Sequence, residues 1–205
     1  MRKLFFISFF FVVSFLNAQK LTVSQVFNPK QKGENSYVSD IDQVLSSNGF
    51  IGLNNICVEL EREVGVEVAV VIVPSIAGDD EYSFAYELFN TWRIGKEGKN
   101  NGLLWLYVVD IRAMKFETGY DLEGLLPDAY LNSLLDEAIF PLMREGRVDE
   151  AFLLGLKDIE RRLTTDVARE ELLLNIESPR VIAVDILTLY FCFAFLLLIL
   201  FAVLY

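Results

Sequence analysis

The chain has 205 residues, 53% of them hydrophobic, and its 29 acidic and 18 basic side chains leave a formal net charge of −11. One domain with accessory segments fits that length, and so acidic a surface repels nucleic acid, which is therefore not expected as a partner. Histidine is absent, which excludes Ser-His-Asp and Cys-His catalysis and histidine-ligated zinc, so a metal site must be built from oxygen ligands of the kind calcium or magnesium takes.

In chain order, the basic start Met1-Arg2-Lys3, the apolar run Leu4 to Leu16 and the small residue in Asn17-Ala18-Gln19 predict a secretory signal peptide over 1–18. The run is too short to span a bilayer. Residues 19–36 are polar and read as an extended lead-in. A domain over 37–164 follows, opening at Tyr37-Val38-Ser39-Asp40. Leu53, Ile56, Cys57, Leu60 and Val64 fall on one helical face, and Gly65 stops that helix. Val66 to Val73 is a nearly unbroken apolar run closed by Pro74, as expected of a strand covered on both faces.

A second helix follows Asp79-Asp80, with Ala85, Leu88, Phe89 and Trp92 on one side. The glycine-rich loop "RIGKEGKNNG" carries Arg93, Lys96 and Lys99 but lacks the Gly-Lys-Ser/Thr of a phosphate loop. Gly102 to Val109 is a second buried strand. Asp110-Ile111-Arg112 turns it into Ala113 to Thr118, where apolar and charged residues alternate, so the pair is expected to be an antiparallel hairpin. Leu131 to Leu142 predicts a third helix, bent near Pro141, and Phe152 to Leu163 a fourth. The fold class expected is α/β, a three-layer α/β/α sandwich on a small mixed sheet.

Residues 165–180 read as a juxtamembrane tether. Within 181–205, the twenty uncharged residues Ile186 to Tyr205 are long enough at about 1.5 Å per residue to cross about 30 Å of hydrocarbon, so a C-terminal transmembrane helix is expected. With Arg2, Lys3 and Asp185 set aside, the stretch between the two ends holds 16 basic and 28 acidic residues, a net −12. Signal peptide and anchor together place this acidic domain on the exported, periplasmic side of the cytoplasmic membrane, in contact with the lipid bilayer. Cys57 lies on a helical stripe and Cys192 in the membrane segment, so the two are expected to pack rather than pair.

Carboxylates gather where the apolar segments end. Asp110 closes one strand, and Glu123 and Asp128 follow the next, in the stretch "GYDLEGLLPD". Sites in α/β sheets collect at strand ends, and carboxylates meeting around a cation would offset their own repulsion. Separate roles serve as well: Asp110 as a turn residue, Asp128 as a first-turn acid behind Pro127, Glu123 as a solvated loop acid. Arg112 can pair with one of these acids or grip an anion.

The segments "YVSDIDQVLS", "EREVGVEVAVVIVPSI", "LFNTWRIGKEGKNNGLLWLYVVDIRAMKFETGYDLEGLLPDA" and "IFPLMREG" resemble, in order, the TPM domain family. That family includes a thylakoid acid phosphatase, a nematode receptor modulator and many bacterial envelope proteins. The resemblance implies an α/β/α sandwich with a carboxylate-lined pocket for calcium or a related divalent cation. Carried onto this chain, it makes Asp40, Asp110, Glu123 and Asp128 the candidate metal ligands, with Arg112 as an anion-binding neighbour. Ile111 stands where many members have a second Asp, which removes one ligand. Two functions follow: a membrane-anchored, cation-binding accessory module for a membrane-protein complex, or a metal-assisted acid phosphatase acting on phosphomonoesters.

Overall fold

The computed structural model describes residues 20–172 except 34, 35, 79, 97, 166, 169 and 171. The expected signal peptide, most of the tether, the transmembrane segment and Cys192 lie outside the described residues. Among the described residues no helix is long and apolar enough to cross a membrane.

Four strands make one mixed sheet in the order β1 (Val38–Asp40), β2 (Glu67–Val73), β3 (Gly102–Val108), β4 (Ala113–Thr118). The first three are parallel, and β4 returns antiparallel to β3 with Leu103 opposite Thr118 and Val108 opposite Ala113. All seven residues of β2 and all seven of β3 are buried. This is what such predominantly apolar runs require, because neither face of the strand tolerates water; the one buried acid, Glu67, is paired with Lys30 at 2.7 Å. β4 alternates instead: Met114 and Phe116 are buried while Lys115 and Glu117 are half-buried.

Helix α1 (Ser47–Val64) starts at Ser46, whose hydroxyl accepts the Gly49 N–H at 3.1 Å, and stops at Gly65 in the left-handed region at φ 73°. Its apolar stripe meets α5 (Val148–Leu163) on one face of the sheet, around Leu53, Leu60, Trp105, Phe152 and Leu156. The other face is covered by α2 (Glu81–Trp92), through Phe84, Ala85 and Leu88 against Val71, Leu104 and Leu106. Asp80 caps α2, accepting the Ser83 N–H at 2.7 Å. That bond holds its carboxyl below the usual range.

The third predicted helix is three pieces. α3 (Asp128–Leu134) widens to a π turn over Leu135–Ile139, and α4 (Phe140–Arg144) continues from there. Pro141 lacks an N–H and its ring crowds the preceding turn, so the helix opens one turn earlier and its direction changes where the sequence predicts a bend.

The lead-in differs from expectation. Leu21 pairs with Ile76 in a parallel bridge, its N–H donating to the Ser75 carbonyl at 3.1 Å. Val23 and Val26 are buried against the α2 face. Two valines among polar residues are too sparse a signal for a segment that nonetheless adds to the core.

The "RIGKEGKNNG" loop is a latch. The buried Asn101 side chain donates to the Gly65 carbonyl at 2.7 Å and accepts the Lys96 N–H at 2.9 Å, tying the end of α1 to the start of β3. Lys96 also lies 3.8 Å from Glu61. Gly102 and Gly119 let three backbone segments close on this latch. A Cβ at Gly102 would stand 2.2 Å from the Ile94 carbonyl oxygen, and one at Gly119 would stand 2.1 Å from that of Asn100. Gly119 therefore serves close backbone packing.

Candidate functional site

The topology divides the predicted ligands. Asp40 ends β1 and Asp110 follows β3, both at the carboxy-terminal edge of β2: the Ile41 N–H donates to the Ile72 carbonyl and the Asp110 N–H to the Pro74 carbonyl. Glu123 and Asp128 come after β4, which has run back about five residues, or roughly 17 Å, toward the other edge. Among the described residues no three Asp, Glu or Cys side chains converge to hold a metal ion. A single cage from Asp40, Asp110, Glu123 and Asp128 is not assembled, and those four residues do not fit one ion as a set.

The edge carboxylates have structural partners. Asp40 accepts the N–H groups of Val44 and Leu45 at 3.0 and 2.8 Å, shaping the approach to α1. Asp110 accepts the Ile111 N–H at 2.8 Å and closes the hairpin. These are turn-building roles, favoured because a short carboxylate reaches backbone donors a few residues on.

Glu123 and Asp128 do share a place. They line an open cleft of about 360 Å³ beside β4 with Lys115, Glu117 and Leu126. Asp128 is the first residue of α3, behind Pro127, as its spacing predicts. Glu117, on the wetter face of β4, is the acid that sequence reasoning did not single out. Burial pushes its carboxyl up, Lys115 pulls it down, and the charge of Asp128 pushes it up again. A carboxyl raised in the folded state binds its proton more tightly there than in the unfolded chain. Glu117 therefore withdraws stability as the pH rises through its folded value.

Arg112 faces a different cleft, of about 520 Å³, at the hairpin end of the sheet. It sits at φ 52° in the turn. Neither it nor Arg144, at the end of α4 and also lining the cleft, has an ion-pair partner among the described residues. Other arginines do: Arg147 bonds Glu145 and Glu150, and Arg161 bonds Asp158. The acid pairing considered for Arg112 is thus absent among the described residues. Arg144 carried no sequence signal, because 32 residues separate it from Arg112 and only the π turn and Pro141 bring α4 over the sheet. Cys57 is fully buried, and burial pushes its thiol well up, so it packs as a neutral group.

The TPM domain model matches residues 38–162. The N-terminal domain of a protein from P.gingivalis is 32% identical with a TM-score of 0.66, over 71% of this chain and 92% of that one. BA42 protein from the psychrophilic bacterium Bizionia argentinensis has 15% identity and a TM-score of 0.51, over 60% of this chain and 84% of its own. The N-terminal domain of cg2496 protein from Corynebacterium glutamicum has 15% identity and a TM-score of 0.50, over 68% and 88%. The last two show likeness of fold alone. No curated protein matches the chain significantly. The match across most of the domain, from the β1 strand to the end of α5, shows that the chain belongs to the TPM domain family.

Proposed function

We propose that this TPM domain is an accessory binding module for a membrane-protein complex, anchored on the exported side of the cytoplasmic membrane and responsive to divalent cations, calcium foremost. The observation that supports the cation response is the cleft beside β4, where Glu117, Glu123 and Asp128 face one open space. Because they do not converge into a cage, the ion they attract keeps much of its water. Calcium, which takes six to eight oxygen ligands in flexible geometry, accepts such an irregular set of carboxylates completed by water. Such an ion would relieve the burden that burial and Asp128 place on Glu117.

The phosphatase reading needs more: a held metal, a nucleophile or activated water, and a proton donor for the leaving oxygen. Arg112 and Arg144 supply only positive charge for an anion.

Calcium is expected to raise the melting temperature of the full chain. An ion that binds only the folded state adds about 2.7 kcal/mol at 100 times its dissociation constant. Asp128→Asn should reduce the gain and Asp110→Asn should leave it. Melting curves unmoved by millimolar calcium, magnesium and manganese would remove the cation from the account. For the topology, protease added to spheroplasts should digest the domain; protection until lysis would place it on the cytoplasmic side.

A further inference from the structure

We propose that the cleft between the hairpin end of the sheet and α4 is a binding site for a small amphipathic organic anion, with Arg112 and Arg144 holding the anionic group and Tyr107, Met114, Phe140 and Met143 the apolar body. This site is separate from the acidic cleft beside β4 and does not depend on the cation response proposed there.

The floor is fixed by strand register. Tyr107 on β3 lies directly opposite Met114 on β4, so both side chains stand on the same face of the sheet. Tyr107 is 7% exposed and packs edge-on against Phe152, with ring centroids 6.0 Å apart. The wall is fixed by the π turn. It turns α4 so that Phe140, Met143 and Arg144 line the space above that floor. The volume of about 520 Å³ is in the range that encloses a small organic ligand.

Two features of this cleft call for an anion. In a chain with 29 acids against 18 basic residues, two guanidinium groups share one cleft and no carboxylate lines it. Arginines left without a counterion beside an apolar floor repel each other, and a bound carboxylate or phosphate removes that repulsion. The second feature is independent of the charges. Tyr107 is largely buried and lines the cleft, and no hydrogen bond among the described residues engages its hydroxyl. That hydroxyl is not sealed in the core, so it is free to bond a ligand oxygen that enters the cleft. Two thioethers and a phenyl ring adapt to a flat or branched body and give little reason to admit a fully hydrated inorganic ion.

The chain supplies its own reporter. It has three methionines, Met1, Met114 and Met143, and two of them line the cleft. The full chain, labelled at the methionine methyls and reconstituted in phosphatidylcholine nanodiscs, is titrated with 4-phenylbutyrate, phenyl phosphate, 4-phenylbutanol and 4-phenylbutylamine. The two anions are expected to shift the Met114 and Met143 methyl signals saturably, at least about tenfold more tightly than the alcohol or the amine. Arg112→Gln and Arg144→Gln should each weaken the anions about tenfold while the ligand-free methionine spectrum stays folded. Arg62→Gln, on the exposed side of α1, should change nothing. If Arg144→Gln is too unstable to measure, Tyr107→Phe provides the second test, with a several-fold loss expected. Equal affinity for alcohol and anion, an amine that binds as well, or anion binding unchanged in Arg144→Gln and Tyr107→Phe would each overturn the site.

Discussion

Replacing Trp105 with alanine is expected to cost the domain about 3–5 kcal/mol, the range for removing a large buried aromatic side chain. Trp105 is fully buried at the centre of β3. It stacks on its cross-strand partner Phe116 at 4.8 Å and on Phe152 of α5 at 4.6 Å, so it joins three elements at one point. A typical domain has only about 5–15 kcal/mol in total, and a loss of this size would leave the variant marginal at ordinary temperature. Trp105→Phe should lose much less. The indole N–H has no hydrogen-bond partner among the described residues, and phenylalanine removes that unmatched donor, worth about 1–3 kcal/mol of desolvation, against the smaller volume it leaves unfilled. Urea unfolding of the two variants decides the matter. An alanine variant within about 0.5 kcal/mol of the parent, as for a surface substitution, would mean that Trp105 is not the centre of this core.

A single methyl group should be nearly as damaging at the latch. Gly102→Ala and Gly119→Ala each place a Cβ little more than 2 Å from a backbone carbonyl oxygen. A side chain can step aside, but these carbonyls belong to the loop that enters β3. Their movement would disturb the Asn101 bonds to Gly65 and Lys96. The expected loss is about 3 kcal/mol, the upper end of the usual range for overpacking. Gly33→Ala is the control. Its backbone is extended at φ 161°, with nothing within 4 Å of the added Cβ, so the variant should match the parent or gain up to about 1 kcal/mol from the stiffer unfolded chain. Urea midpoints that put all three variants together would show that the close approaches at 102 and 119 relax without cost.

The elements that can be read from sequence are those whose signal is local. The nearly unbroken Val66 to Val73 run, the alternation of Met114 and Phe116 with Lys115 and Glu117, the stripe of α1 and the Gly65 stop each appear within a dozen residues and each matches the structure. The strand β1 is only three residues long and exists because Val38 to Asp40 finds Val70 to Ile72, a pairing across thirty residues that no local pattern announces. The site was harder for the same reason. Spacing put Asp110, Glu123 and Asp128 in one stretch, yet a hairpin carries the chain from one edge of the sheet to the other between them. Proximity in sequence therefore became separation in space. Arg112 and Arg144, far apart in the chain, are brought to one cleft by a π turn whose only sequence trace is Pro141.

This domain is expected to bind and assist without turning over a phosphomonoester. The most direct test is the purified full chain assayed with p-nitrophenyl phosphate, with and without calcium, magnesium and manganese, beside the Arg112→Gln/Arg144→Gln and Asp110→Asn variants. The expected result is that substrate binds to the arginine cleft while release of p-nitrophenol stays at the background rate, the same in parent and variants. Turnover on the order of 1 s⁻¹, ordinary for an enzyme, that depends on a divalent ion and is lost in the Asp110→Asn variant would contradict the claim and establish the domain as a metal-assisted phosphatase.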